Sequence, residues 1–283
     1  MSDLACVTFL KWCLPRLGLR WQGYRKVHRL VCKRLNRRLG ELGLTELPQY
    51  NNWLMAHPDE WARIEAICRI PISRFYRDRD VFETMASTML PEAAMNVTRA
   101  GAGAVRCWSA GCASGEEPYS VILVWCFLVA RDWPGVDLRM IATDADKVAI
   151  ARARTACYAP SSLKDLPQAW IAQAFQQSDG LFCLGGALRD GVEFRQQDIR
   201  QTMPDGPFEI ILCRNLVFTY FDETLQREML AGILDRLAPG GFLVLGKHEA
   251  VPAGPYPLAR LATRLPIYRR VAPSGGEPHV MAC

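Results

Sequence analysis

From about residue 101 onward, short apolar runs alternate with helix-forming stretches, and no other feature of the sequence limits the fold so strongly. The runs 105–109, 138–143, 192–196, 208–213 and 242–245 read as strands. Helices are predicted between them at 116–129, 147–157 and 223–237, the last ended by Pro239, Gly240 and Gly241. Such alternation builds a mainly parallel sheet with helices on its faces. The segment 158–191 is longer than a crossover needs and reads as an insertion, and 258–271 can add antiparallel edge strands. Residues 272–283, with Pro, Ser and paired Gly, read as a loose tail.

The first third is patterned differently. Val27, Leu30, Val31, Leu35 and Leu39 recur at spacings of three and four, which lines one face of a helix. Arg25, Lys26, Arg29, Lys33 and Arg37 lie on its other side, with Gly40 as the expected stop. Further helices are predicted near 47–56 and 58–68, the latter with Pro58 in its first turn. Pro71 breaks the pattern, and Ser73 can cap a helix beginning around Arg74. The chain thus divides into a small helical domain (1–78), an α/β domain (79–272) and the tail (273–283).

Charge separates the two regions as well. The net charge is +5, yet Lys11 to Arg38 contains ten Lys or Arg and no acid. That local positive field suits an acidic partner, or is simply a solvated face. No apolar run reaches the roughly 18 residues of a membrane span, and the patch 5–10 lacks the order of a secretory signal. A cytoplasmic protein without membrane insertion is expected. Eleven cysteines and four histidines are scattered without a metal-binding spacing. No metal site is expected, and the thiols are expected to be buried and reduced.

In an open parallel sheet, ligands sit beyond the carboxyl ends of the strands. Past the first strand come Ala110 and Gly111, then Cys112-Ala113-Ser114-Gly115-Glu116-Glu117. The small residues let backbone approach a ligand closely. No phosphate-loop lysine follows, and two glutamates at the start of a helix would repel a pyrophosphate. They suit a cationic or amine-bearing ligand such as S-adenosylmethionine (SAM), or they merely complement the helix dipole. Asp144 follows the second strand, where an acid commonly binds ribose hydroxyls. Asp198 and Ile199 follow the third, placed for an adenine amino group. Each Asp alone could be a helix cap, but three strand-end acids favour a nucleoside-binding sheet that avoids phosphate. Arg214 and Asn215 follow the fourth strand, ahead of Phe218, Thr219, Tyr220 and Phe221. The aromatics could exclude water or simply pack in the core.

These residues resemble the CheR family, the chemotaxis-receptor glutamate methyltransferases. Trp108-Ser109-Ala110-Gly111-Cys112-Ala113-Ser114-Gly115-Glu116-Glu117-Pro118-Tyr119 is similar to the family's signature loop. Ala142-Thr143-Asp144-Ala145-Asp146, Cys213-Arg214-Asn215 with Tyr220-Phe221-Asp222, and Ser73-Arg74-Phe75-Tyr76-Arg77-Asp78 are similar to three further motifs. Lys33-Arg34-Leu35-Asn36-Arg37-Arg38-Leu39 resembles a basic helix that the family uses on receptors. The resemblance spans roughly 25–270. It differs at Pro71 (family Asn), at Ser73 (family Thr), at Thr219, which lengthens one motif, and at Gly246-Lys247-His248-Glu249 (family Gly-His-Ser-Glu).

The resemblance implies a small all-α domain followed by a Rossmann-like methyltransferase domain that carries a small inserted subdomain at 158–191. It implies SAM as cofactor, contacted by Ser73, Arg77, Ala110, Gly111, Glu117, Asp144, Asp198, Ile199, Arg214 and Asn215. Arg77 and Tyr220 would border the methyl-transfer site. The implied reaction is methylation of glutamate carboxylates on an acidic helical receptor or signalling protein, docked through the basic N-terminal helix; nucleic acid is not an expected partner. Two alternatives stay open: a small-molecule or different protein acceptor, with His248 as base, and a non-catalytic cofactor-binding module.

Overall fold

A computed structural model describes residues 2–71, 73–261 and 264–271. The expected tail lies outside the described residues. The chain divides into two compact units: 1–72 with 215–228, and 73–214 with 229–283.

The first unit is helical. Asp3–Cys13, His28–Glu41, Leu47–Ala56 and Glu60–Cys68 are its longer N-terminal helices. In His28–Glu41 the buried residues are Val31, Leu35 and Leu39, spaced by four as the pattern predicts. The helix runs one residue past Gly40. Glu46 and Gln49 form a reciprocal capping box at the start of Leu47–Ala56. The basic stretch splits by role. Arg25, Lys26, Arg29, Lys33 and Arg37 are exposed. Arg34, by contrast, donates to the carbonyls of Ile67 and Arg69 at 3.1 and 2.5 Å. Arg38 forks onto both oxygens of Glu60 at 2.8 and 2.7 Å, and the Tyr50 hydroxyl donates to the same carboxylate at 2.8 Å. Glu60 is buried, and this pairing with Arg38 lowers its pKa.

Segment 215–228 groups with these helices rather than with the α/β domain to which the sequence assigned it. Local bonds explain why. Leu19 bridges Phe221, the Arg20 amide donates to the Tyr220 carbonyl at 2.8 Å, and the Arg20 guanidinium reaches the carbonyls of Thr219 and Phe218. Helix Val217–Tyr220 lies so close to Trp21–Tyr24 that a Cβ on Gly23 would meet the Thr219 carbonyl oxygen at 2.3 Å.

The second unit is α/β. Its strands are β1 (Ala104–Ala110), β2 (Asp137–Asp144), β3 (Cys157–Tyr158), β4 (Phe175–Ser178), β5 (Leu181–Leu184), β6 (Val192–Gln196), β7 (Phe208–Cys213), β8 (Leu237–Leu245), β9 (Leu258–Arg260) and β10 (Ile267–Arg270). Among the described residues the main sheet has the order β6-β2-β1-β7-β8-β10-β9. Its first five strands are parallel, and β10 and β9 extend it antiparallel. The central strands β1, β7 and β8 are buried over most of their length, as strands covered on both faces must be, whereas β2 and β6 towards the edge keep exposed positions. Strand order reverses between β1 and β7, so the crevice for a ligand opens at their carboxyl ends. The segment read as an insertion forms an antiparallel sheet, β3-β5-β4, with helix Gln168–Ala174.

Two local expectations are corrected. No helix begins at Arg74. Residues 73–78 are a non-helical turn, with Tyr76 and Asp78 at φ of 56° and 61°. Phe75 and Tyr76 are buried, and their amides donate to the Ser162 carbonyl and the Ser120 hydroxyl, partners no helix could supply. The helix starts at Arg79 instead. Nor are all thiols reduced: Cys6–Cys32 and Cys157–Cys183 are disulfides. The fold sets each pair within bridging distance, the second directly across the β3–β5 ladder. Cys13, Cys68, Cys107, Cys112 and Cys213 are buried free thiols, and Cys126 is exposed. Among the described residues no helix is long and apolar enough to cross a membrane.

Candidate functional site

The site in the second unit is built around the loop after β1. Gly111 turns at φ 78°, and its amide and that of Cys112 both donate to the Thr143 carbonyl at 2.8 and 3.0 Å. The β1 loop is thereby tied to the end of β2. Asp144 completes the tie, accepting from the Ala113 amide at 2.9 Å and from the Asp146 amide at 2.8 Å. Gly115, at φ 90°, starts helix Glu116–Val124. A Cβ there would meet Ala153 Cβ, the Phe194 ring and the Tyr158 hydroxyl at 3.0–3.1 Å, so only glycine fits. Tyr158 in turn donates to the Ser114 carbonyl at 2.8 Å. A backbone loop with small side chains is thus held rigidly at the switch point, as close approach by a ligand requires.

Arg214 stands just past β7 and is buried. Its Nη1 donates to Glu117 at 3.0 Å, and its Nη2 donates to Asp78 at 2.7 Å and to the Arg77 carbonyl at 2.9 Å. Ser109 donates to the other oxygen of Glu117 at 2.8 Å. Glu117 therefore does more than complement a helix dipole. Two charge-assisted contacts join it and Asp78 through one guanidinium. Glu116 is buried too, with the Ser73 hydroxyl donating to its carboxyl group, and burial raises its pKa. Past β6, the Gln197 amide donates to the Asp144 carbonyl at 3.0 Å, which brings Asp198 alongside the β2 end. Arg200 forks onto Asp198 at 2.9 and 2.5 Å.

Ser73, Arg77, Ala110, Gly111, Glu117, Asp144, Asp198, Ile199 and Arg214 all belong to this unit. Strand-end geometry gathers the residues after β1, β2, β6 and β7 at the carboxyl edge. Asn215 and Tyr220 belong to the first unit, where the Tyr220 ring lies 5.1 Å from that of Tyr24. Sequence reasoning missed the roles of Asp78 and Arg200. Asp78 lay inside a quoted motif, but nothing in its spacing pointed to a partner 136 residues away. Among the described residues, no group of three or more His, Cys, Asp or Glu could hold a metal ion.

The donor set fits SAM. Among the described residues of this unit, three buried side-chain polar atoms have no partner: the acceptors Glu116 Oε2 and Gln197 Oε1, and the donor Arg214 Nε. Buried polar atoms are normally satisfied, so these await a ligand with both amino donors and an anionic acceptor. An adenosyl amino acid carries both.

Residues 72–263 match the family model described as CheR methyltransferase, SAM binding domain. A probable chemotaxis protein methyltransferase of Rhizobium etli is 31% identical over 78% of this chain and 84% of its own length. The chemotaxis protein methyltransferase of Escherichia coli is 31% identical over 78% of this chain and 76% of its own. An uncharacterized 104.1 kDa protein of Rhodobacter capsulatus is 28% identical over 88% of this chain. The chain spans only about a quarter of that relative's length, 26%.

Proposed function

The chain belongs to the CheR methyltransferase family, and from that premise we propose that it transfers a methyl group from SAM to glutamate side chains of a chemoreceptor or similar signalling protein. The observation that carries the reading is the cluster at the β1–β7 switch point, where Arg214 joins Glu117 and Asp78 beside the Gly111–Gly115 loop. SAM supplies the electrophilic methyl on a sulfonium. The protein supplies placement. Glu117 and Glu116 suit the positive end of the cofactor, Asp144 and Asp198 its ribose and base, and Arg214 Nε its carboxylate.

A glutamate acceptor has an ordinary pKa of about 4.3 and is ionised at neutral pH, so it needs no general base. Proximity and orientation then dominate, worth roughly 7–11 kcal/mol in favourable cases. Arg77 steers the acceptor carboxylate. The exposed cations Arg25, Lys26, Arg29, Lys33 and Arg37 form a face that suits an acidic helical partner.

Methyl-labelled SAM, the purified protein and receptor-bearing membranes of its own source test this. Label that enters protein and leaves as methanol in mild base is the expected result; base-stable label, or label confined to small molecules, overturns it. Arg77→Ala is expected to lower turnover more than SAM affinity, and the reverse order removes Arg77 from acceptor orientation.

A further inference from the structure

The turn after β8 carries a cation that the proposed cofactor site does not use. Cys213 and Leu245 are in register on parallel strands, so Arg214 and Gly246 leave the sheet side by side. The turn 246–249 is closed on itself. The Gly246 amide donates to Glu249 Oε2 at 2.6 Å, and the Glu249 amide donates back to the Gly246 carbonyl at 2.8 Å. Glu249 is buried, whereas Lys247 and His248 between these anchors are exposed. A locked turn thus presents Lys247 at the carboxyl edge of the sheet with little backbone entropy left to lose.

The contact Lys247 makes there is weak. Its Nζ lies 3.8 Å from Asp80 Oδ2, and both side chains are about half exposed, at 53% and 48%. A strong ammonium–carboxylate bond is about 2.7–2.9 Å long, so this pair is longer than a charge-assisted hydrogen bond. An ammonium has three donors and Asp80 engages it loosely, so an incoming carboxylate can be accepted at low cost. The neighbouring Arg214 has its two terminal nitrogens paired with Glu117 and Asp78, and its Nε is assigned to the cofactor, so it is not the group that meets the acceptor's flanking charge.

We propose that Lys247 is an acceptor-binding residue that pairs with a carboxylate flanking the methylated glutamate. The inference rests on the glutamate-methyltransferase reading and deepens it by giving the acceptor an acidic neighbour. Two synthetic helical peptides test it, each with one target Glu and either Glu or Gln one turn away. KM for each peptide is measured with wild type, Lys247→Gln and Lys247→Arg at low salt, and calorimetric binding of S-adenosylhomocysteine serves as the folding control. Wild type is expected to prefer the Glu-flanked peptide. Lys247→Gln should reduce that preference about fivefold, the size of a good exposed ion pair. Lys247→Arg should restore most of it, and high salt should erase it. An unchanged preference in Lys247→Gln overturns the inference alone. If wild type methylates neither peptide nor any receptor carboxylate, the function proposed above falls, and this inference falls with it.

Discussion

Replacing Arg214 by Met keeps most of the side-chain volume and removes the charge that joins Glu117 to Asp78. Three hydrogen bonds disappear: 3.0 Å to Glu117, 2.7 Å to Asp78 and 2.9 Å to the Arg77 carbonyl. Each bond to a charged group contributes about 1.5–3 kcal/mol net. The stranded carboxylates keep side-chain exposures of only 14% and 20%, so water recovers part of the loss. A cost of about 3–5 kcal/mol follows, as for other buried pairs broken on one side. Domain stabilities lie near 5–15 kcal/mol, so the variant should still fold at 25 °C. With a urea slope of about 3 kcal/mol/M, the midpoint should fall by roughly 1–1.7 M. Urea denaturation followed by circular dichroism measures the shift. A cycle with Glu117→Gln isolates the pair: Arg214→Met should cost clearly less when Glu117 is already neutral, with a coupling of at least about 1 kcal/mol. Affinity for S-adenosylhomocysteine, measured by calorimetry, should fall more than tenfold as Glu117 and the Arg77 turn lose their anchor. A midpoint shift worth less than about 1 kcal/mol, or strict additivity with Glu117→Gln, refutes this account of the site.

Three further outcomes are expected. Gly115→Ala should destabilise by about 1–3 kcal/mol and weaken cofactor binding, because φ is 90° and the new Cβ crowds the Tyr158 hydroxyl; thermal melts with and without S-adenosylhomocysteine read both effects. The lowered pKa of Glu60, caused first by its bonds from Arg38, makes a contribution to stability that is complete above the unfolded value of about 4.3 and lost as pH falls through the folded value; urea midpoints from pH 7 to 3 should show that loss, and Glu60→Gln should flatten it. Reduction of the two disulfides, each closing a separation of 26 residues, should lower stability by up to about 3 kcal/mol per bridge, with Cys157→Ser and Cys6→Ser attributing the loss to one unit or the other.

Much of the fold was legible in the sequence because its signals are local. The apolar runs at 192–196 and 208–213 coincide with β6 and β7, and the run at 105–109 lies inside β1. Helix Leu47–Ala56 was bounded correctly from its pattern. The reading failed at 73–78. Ser73 looks like a cap, but buried Phe75 and Tyr76 draw their backbone bonds from Ser162 and Ser120, and tertiary demand overrides local propensity. It also failed at the cysteines, which it expected to be reduced, since no spacing rule says which of eleven thiols the folded chain brings together as Cys6–Cys32 and Cys157–Cys183.

Strand polarity explains why Gly111, Glu117, Asp144, Asp198 and Arg214 could be singled out from the sequence. In a parallel sheet every residue just past a strand reaches the same edge, so chain order alone gathers them. What those side chains hold was decided only by the tertiary structure. Arg214 selects Asp78, Arg200 covers Asp198, Arg34 and Arg38 turn inward from a helix that reads as uniformly basic, and 215–228 joins the helical unit. Those choices depend on distances between residues far apart in the chain, which periodicity does not encode. They follow from the need of each buried charge and backbone group to find a partner once water has gone.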